Sequence, residues 1–267
     1  MKRSTTKIGA VIVAILIMTA VIGPWIAPHN PNTYHLDKSF DGSSLSYPLG
    51  NDADGRDILS RIIYGARISL GIGIIVVGIS LIIGCAVGMM AGYTGGIFDR
   101  IFLFISDVFL AFPGFLFAIA IAAFLQPSIS NVIFILCLKG WVSYARLVRG
   151  QTLSLKEREF VKAGRATGVG LPRMFMRHLF PNMVGPVVVN ASFGMAGVII
   201  IESSLSFLGL GVPVTTPSWG VMLDQGTKYL LVSPHLSIYP GIAIALVVLG
   251  FNFLGDGLRD RFAPKNR

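Results

Sequence analysis

The chain has 267 residues, of which 53% are hydrophobic and only 13% charged, and its mean hydropathy is +0.72. One soluble core has no room for several long apolar runs, whereas a bilayer accepts each run of about 20 apolar residues as a spanning helix; a soluble globular domain is therefore excluded and an all-α membrane protein is expected. The net charge of +9 does not point to nucleic acid, because the basic residues sit in short segments between apolar runs rather than in a polar domain with interleaved aromatics.

In chain order, the first run is "IGAVIVAILIMTAVIGPWIA", preceded by Lys2, Arg3 and Lys7. It is longer than a signal-peptide core and no small-x-small cleavage site follows, so residues 1–28 are read as an uncleaved first span. Residues 29–67 form a long segment ending in "GRDILSRIIYGARISL", where Ile58, Leu59, Ile62 and Ile63 share a helical face against Arg56, Arg61 and Arg67. This predicts an amphipathic helix lying on the outer membrane surface. Five further apolar runs follow within 68–255, at Ile68 to Tyr93, Ile101 to Leu125, Asn131 to Tyr144, Met183 to Phe207 and Ser237 to Gly255, each bounded by Gly, Pro or charge. Six spans result, with 256–267 as a tail.

Several residues inside these runs carry information. Gly84, Gly88 and Gly92 leave a flat stripe on the second span for close helix approach. Cys85 and Cys137 lie in apolar runs and read as small buried hydrophobes. Lys139 interrupts the short fourth run, its stem snorkelling or its charge facing a cavity. Between the fifth and sixth spans, "GLGVPVTTPSWGVMLDQGTKYLLVSP" is rich in Gly and Pro, with Trp219 and Tyr229 suited to a membrane interface. Both outer segments are placed to receive something from outside.

Placing the N-terminus in the cytoplasm puts Lys2, Arg3, Lys7, Arg100, the basic residues from Arg146 to Arg177, and Arg259, Arg261, Lys265 and Arg267 on that side. Only Lys38, Arg56, Arg61, Arg67 and Lys228 then fall outside, so both termini are expected to be cytoplasmic.

Catalysis finds no support. The sequence holds no Gly-x-x-x-x-Gly-Lys-Ser/Thr loop and no His-Glu-x-x-His helix, and His29 and His35 share a loop without a third ligand at a recognisable spacing. No catalytic residue, metal site or cofactor is therefore assigned to the chain. Two acids stand at membrane depth: Asp107, before Pro113 and Gly114, and Glu202 in "IIIESSLSFLGLG". Each either lines or gates a path, or ties helices together by hydrogen bonds. They do not make the relay of acids that a proton-coupled pump requires.

The basic stretch "SLKEREFVKAGRATGVGLPRMFMRHLFPN" is more than a topological loop. Leu155 to Thr167 can form a helix, Gly168 can end it with positive φ, and Leu171-Pro172 can start another, since Pro suits a first turn. Ala163 and Gly164 leave a small-residue patch just before the bend, where a partner's surface can dock closely.

With these segments in view the chain resembles a permease subunit of the binding-protein-dependent ABC importers, in the dipeptide, oligopeptide and nickel group. "YPLGNDADGRDILSRIIYGARISLGIG", "DVFLAFPGFLFAIAI", "YARLVRGQTLSLKEREFVKAGRATGVG", "RHLFPN", "ESSLSFLGLGV", "PSWGVML" and "FNFLGDGLRDRFAP" resemble that group's segments in the same order and cover nearly the whole chain. The resemblance implies a type I ABC importer permease fold in a prokaryotic cytoplasmic membrane, carrying short peptides or, alternatively, nickel or a metal-chelator complex. It implies as partners a second, related permease subunit, ATP-binding subunits and an extracytoplasmic substrate-binding protein. The basic stretch resembles the family's cytoplasmic Glu-Ala-Ala loop, which docks into the ATPase subunit. Lys162, Ala163 and Gly164 stand where Glu-Ala-Ala is usual; the resemblance makes Gly168, Leu171 and Pro172 part of the same coupling element, with Glu159 placed to substitute for the reversed charge.

Overall fold

The computed structural model describes residues 2–262, with side chains from Thr5 onward. Lys265 and Arg267 of the expected tail lie outside the described residues, as do the side chains of Lys2 and Arg3. The chain is almost wholly helical: α1 (Lys2–Ile26), α2 (Ile58–Thr94), α3 (Gly96–Ala111), α4 (Gly114–Ala122), α5 (Ile129–Leu155), α6 (Glu159–Ala166), α7 (Leu171–Arg173), α8 (Phe180–Phe207), α9 (Trp219–Thr227) and α10 (His235–Phe262). A π-helical turn, Met174–Leu179, joins α7 to α8, so that Leu171–Phe207 forms one rod.

Among the described residues five helices are long and apolar enough to cross a membrane, and the bent pair α3–α4 passes the same test when taken together as one broken span. The two halves of that pair meet at 82°. Phe112 is extended and Pro113 cannot donate a backbone hydrogen bond, which separates the segments where the sequence suggests one continuous run. Lys139 of α5 donates to the Phe112 carbonyl left free by the break.

The glycine stripe has the expected use. α2 packs along α5, and a Cβ on Gly84 would stand 2.5 Å from Tyr144 Cβ, while one on Gly92 would stand 2.8 Å from Thr152 Cβ. Nothing larger than hydrogen lets these backbones come so close. α10 packs against both α1 and α8, closing the bundle around a core that includes Leu70, Val77, Ile199, Val247 and Phe251. Cys85 is buried and Cys137 half-buried, and both are free thiols.

The outer region departs from expectation. No separate amphipathic helix lies on the membrane before the second span; α2 runs unbroken from Ile58 through Thr94. Its 37 residues give about 55 Å at 1.5 Å per residue, well beyond a hydrocarbon core of about 30 Å, so part of it extends past the lipid. Its first turns are covered by protein. Ile58 and Arg61 are each 1% exposed. Trp219, read as an interfacial residue, is likewise 1% exposed, and its Nε1 donates to the Ile62 carbonyl at 3.0 Å.

Candidate coupling element and translocation face

The two outer segments are locked to one another by charge. Asp52 accepts from Arg56 Nε and Arg61 Nη1, each at 2.8 Å, and Gln225 Oε1 on α9 accepts from Arg61 Nη2 at 2.9 Å and Arg56 Nη2 at 3.2 Å. Asp57 Oδ2 caps α2 by accepting from the Ser60 amide at 3.1 Å, and His29 Nδ1 lies 3.4 Å from the same oxygen, with the ring stacked on Tyr47. Arg56 and Arg61, read as part of the polar face of a surface helix, are therefore the struts of a buried network, which is stable only because each guanidinium meets oxygen acceptors, while Arg67 stays exposed.

On the opposite side, two ion pairs fasten α3 to α5. Arg149 grips Asp99 with Nε at 2.5 Å and Nη2 at 2.6 Å, a bidentate geometry, and Arg146 pairs with Asp107. Asp107 is thus a helix tie, yet its side chain is 70% exposed and also forms part of an open surface. Glu202 is fully buried; it accepts from Ser206 Oγ at 3.0 Å and Ser203 Oγ at 3.3 Å. Ser206 Oγ also accepts the Val212 amide, so Glu202 anchors the C-terminal end of α8.

The basic stretch between α5 and α8 folds into a braced bend. α6 starts at Glu159, four residues later than expected, because Leu155 belongs to α5. At its other end the Val169 amide donates to Gly164 O at 2.9 Å and the Gly168 amide to Arg165 O at 3.0 Å, with Gly168 at φ +73°. This pair of bonds is the Schellman closure, and glycine enters its left-handed position without strain. Gly170 and Pro172 then open α7.

The inner face of α6 is sealed to the bundle. Val161 is buried with Met174, Leu179 and Met183 from the π turn and α8, and with Cys85 and Val148. Gly164 corrects the reading of a docking patch: it is buried, and a Cβ there would stand 2.9 Å from Met174 Cε. Only Ala163 of the small pair faces outward, alongside Lys162, Glu159, Phe160, Leu171 and Pro172. Lys162 pairs with Glu157 at 3.3 Å rather than with Glu159. Arg165 donates to Tyr93 Oη at 3.1 Å and lies over its ring, tying α6 to the inner end of α2. Sequence periodicity could not reveal this bracing, because Tyr93 and Met174 come from different helices.

Spanning helices that carry a small, rigid, partly apolar bend beyond one end of the bundle make a membrane-embedded subunit with an exposed surface outside the helical bundle. A family model described as the inner-membrane component of binding-protein-dependent transport systems matches residues 84–267, and one described as the N-terminal transmembrane domain of oligopeptide transport permease C matches residues 2–46. The chain belongs to this family of inner-membrane importer components. It is 43% identical over 257 residues to the glutathione transport system permease proteins of Shigella dysenteriae serotype 1 and Escherichia coli O157:H7, matches that cover 96% of this chain and 85% of each relative. The fold is accordingly that of a type I ABC importer permease, and the chain is a membrane-spanning transport component.

Proposed function

We propose that this subunit forms half of the translocation pore of an importer for short peptides, with glutathione-like peptides as the favoured cargo. The supporting observation for the transport role is the closed, braced bend around Gly168, and for the cargo it is the 43% identity to glutathione permeases, which favours peptide over nickel or a metal chelate. A second, related permease supplies the other half of the pore, an extracytoplasmic binding protein delivers the peptide, and separate ATP-binding subunits energise the cycle. The chain contributes no ATPase site of its own, consistent with the missing phosphate loop. Both termini and α6–α7 face the cytoplasm, the side that the Lys and Arg distribution favours.

In this reading the ATPase grips the outward surface of α6 and α7, where Phe160, Ala163 and Leu171 give apolar contact and Glu159 and Lys162 give charge. Movement passes to α8 through the Leu171–Phe207 rod, and to α2 through Arg165 and Tyr93. Asp107, on an open surface of the broken span, borders the path. The test is uptake of labelled glutathione and of labelled Ala-Ala by cells carrying the importer and by cells lacking this subunit. Uptake of both peptides that depends on the subunit is expected; subunit-dependent nickel accumulation without peptide uptake would overturn the cargo assignment.

A further inference from the structure

Lys139 lies ten residues into α5 from Ile129, or about 15 Å along a 27-residue helix, well within membrane depth. Among the described residues no carboxylate stands within ion-pair reach of it. Its ammonium donates to the Phe112 carbonyl and lies 5.8 Å from the centre of the Phe117 ring, contacts that leave its charge without a counter-ion. A cation held at that depth is costly and is kept where it meets an anion or water.

It meets a cavity. Lys139 lines a partly open space of about 260 Å³ bounded by α2, α3, α4, α5 and α8 at the break between α3 and α4. Ser143 shares the wall, and so does Tyr144, which is 3% exposed and whose hydroxyl has no hydrogen-bond partner. An unsatisfied buried hydroxyl is expensive, so its presence in the same wall as a lone cation marks a place for a polar guest. Glycines keep the space open: Gly114 stands beside the Lys139 ammonium, and a Cβ on Gly197 would meet nothing within 4 Å. The volume lies just below the ~300–1,000 Å³ usual for small-molecule sites, enough for one end of a peptide rather than a long chain.

We infer that this cavity is a substrate subsite that receives the carboxylate of the transported peptide, with Lys139 as counter-ion and the Tyr144 hydroxyl as hydrogen-bond donor. The inference rests on the peptide-import reading and adds that the cargo is recognised by its carboxylate within this subunit. A carboxylate side chain of the second permease, filling the same space permanently, is the competing occupant.

The test uses the complete importer with its binding protein in lipid nanodiscs, carrying Cys85→Ala, Cys137→Ala and Gly197→Cys, and measures maleimide labelling of position 197. Ala-Ala should slow labelling by about tenfold, as expected when a charge-assisted contact holds the guest, while the C-terminal amide of Ala-Ala should not. Lys139→Arg should keep the protection, Lys139→Met should abolish it, and Tyr144→Phe should weaken it several-fold. If the Gly197→Cys complex does not assemble, Ser143→Cys on the same wall reports in its place. Protection that is absent, equal for the amide, or unchanged by Lys139→Met overturns the inference, and labelling blocked before any peptide is added identifies the second permease as occupant. Uptake of Ala-Ala by the native importer separates the two readings: uptake without protection removes only the subsite, whereas no peptide uptake removes the cargo assignment and the subsite together.

Discussion

At the scale of single residues, Gly168 carries the sharpest consequence. At φ +73° a side chain costs roughly 1 kcal/mol or more and tilts the α6–α7 bend that the Schellman bonds close. Gly168→Asp is expected to leave the subunit at its normal membrane level but to reduce recovery of the ATPase in pull-downs and to abolish uptake. Lys162→Glu should retain most uptake, because the Glu157–Lys162 pair is exposed on both sides and such pairs contribute little. Gly168 was legible in the sequence because its role is local: a helix-compatible run before it and Gly-Leu-Pro after it describe a bend without reference to the rest of the chain. Gly164 was misread because its neighbour Met174 is brought back by the bend itself, and no spacing rule shows which side of a short helix a returning chain will cover.

Elements tell the same story over longer distances. The stripe of Gly84, Gly88 and Gly92 was readable from its period of four, and α5 packs into it. Gly88→Leu should overpack this seam at a cost of about 1–3 kcal/mol and lower the amount of subunit in the membrane, measured by blot. The first turns of α2 were read as a surface helix because Arg56, Arg61 and Arg67 face away from the apolar residues; the acceptors that allow burial are Asp52, nine residues before Arg61, and Gln225, 164 residues after it. Arg61→Ala removes one member of this buried network, a change that costs roughly 3–5 kcal/mol in such settings. It should free α9 and the 29–57 segment from each other, detected as faster protease cleavage of the outer segments in intact cells. The break at Phe112-Pro113 was not read, although Pro113 stands in the run: the 82° turn leaves the Phe112 carbonyl to Lys139 of another helix, a partner that no local pattern shows.

At the scale of the whole molecule, buried charge stiffens one end of the bundle and the braced α6–α7 bend stands at the other. Charge asymmetry predicts which end is which, so an impermeant thiol reagent applied to intact cells should label Ser43→Cys and spare Ser154→Cys; the opposite pattern would invert the molecule. The most direct test of the central claim, that α6 and α7 form the docking surface for the ATPase, is disulfide cross-linking in the assembled importer from Ala163→Cys, the outward-facing small residue of α6. A cross-link from Ala163→Cys to a cysteine placed across the ATPase surface, absent from Ser43→Cys and lost together with uptake in Gly168→Asp, is the expected result. An ATPase that co-purifies with the subunit yet forms no cross-link from Ala163→Cys at any surface position would contradict it.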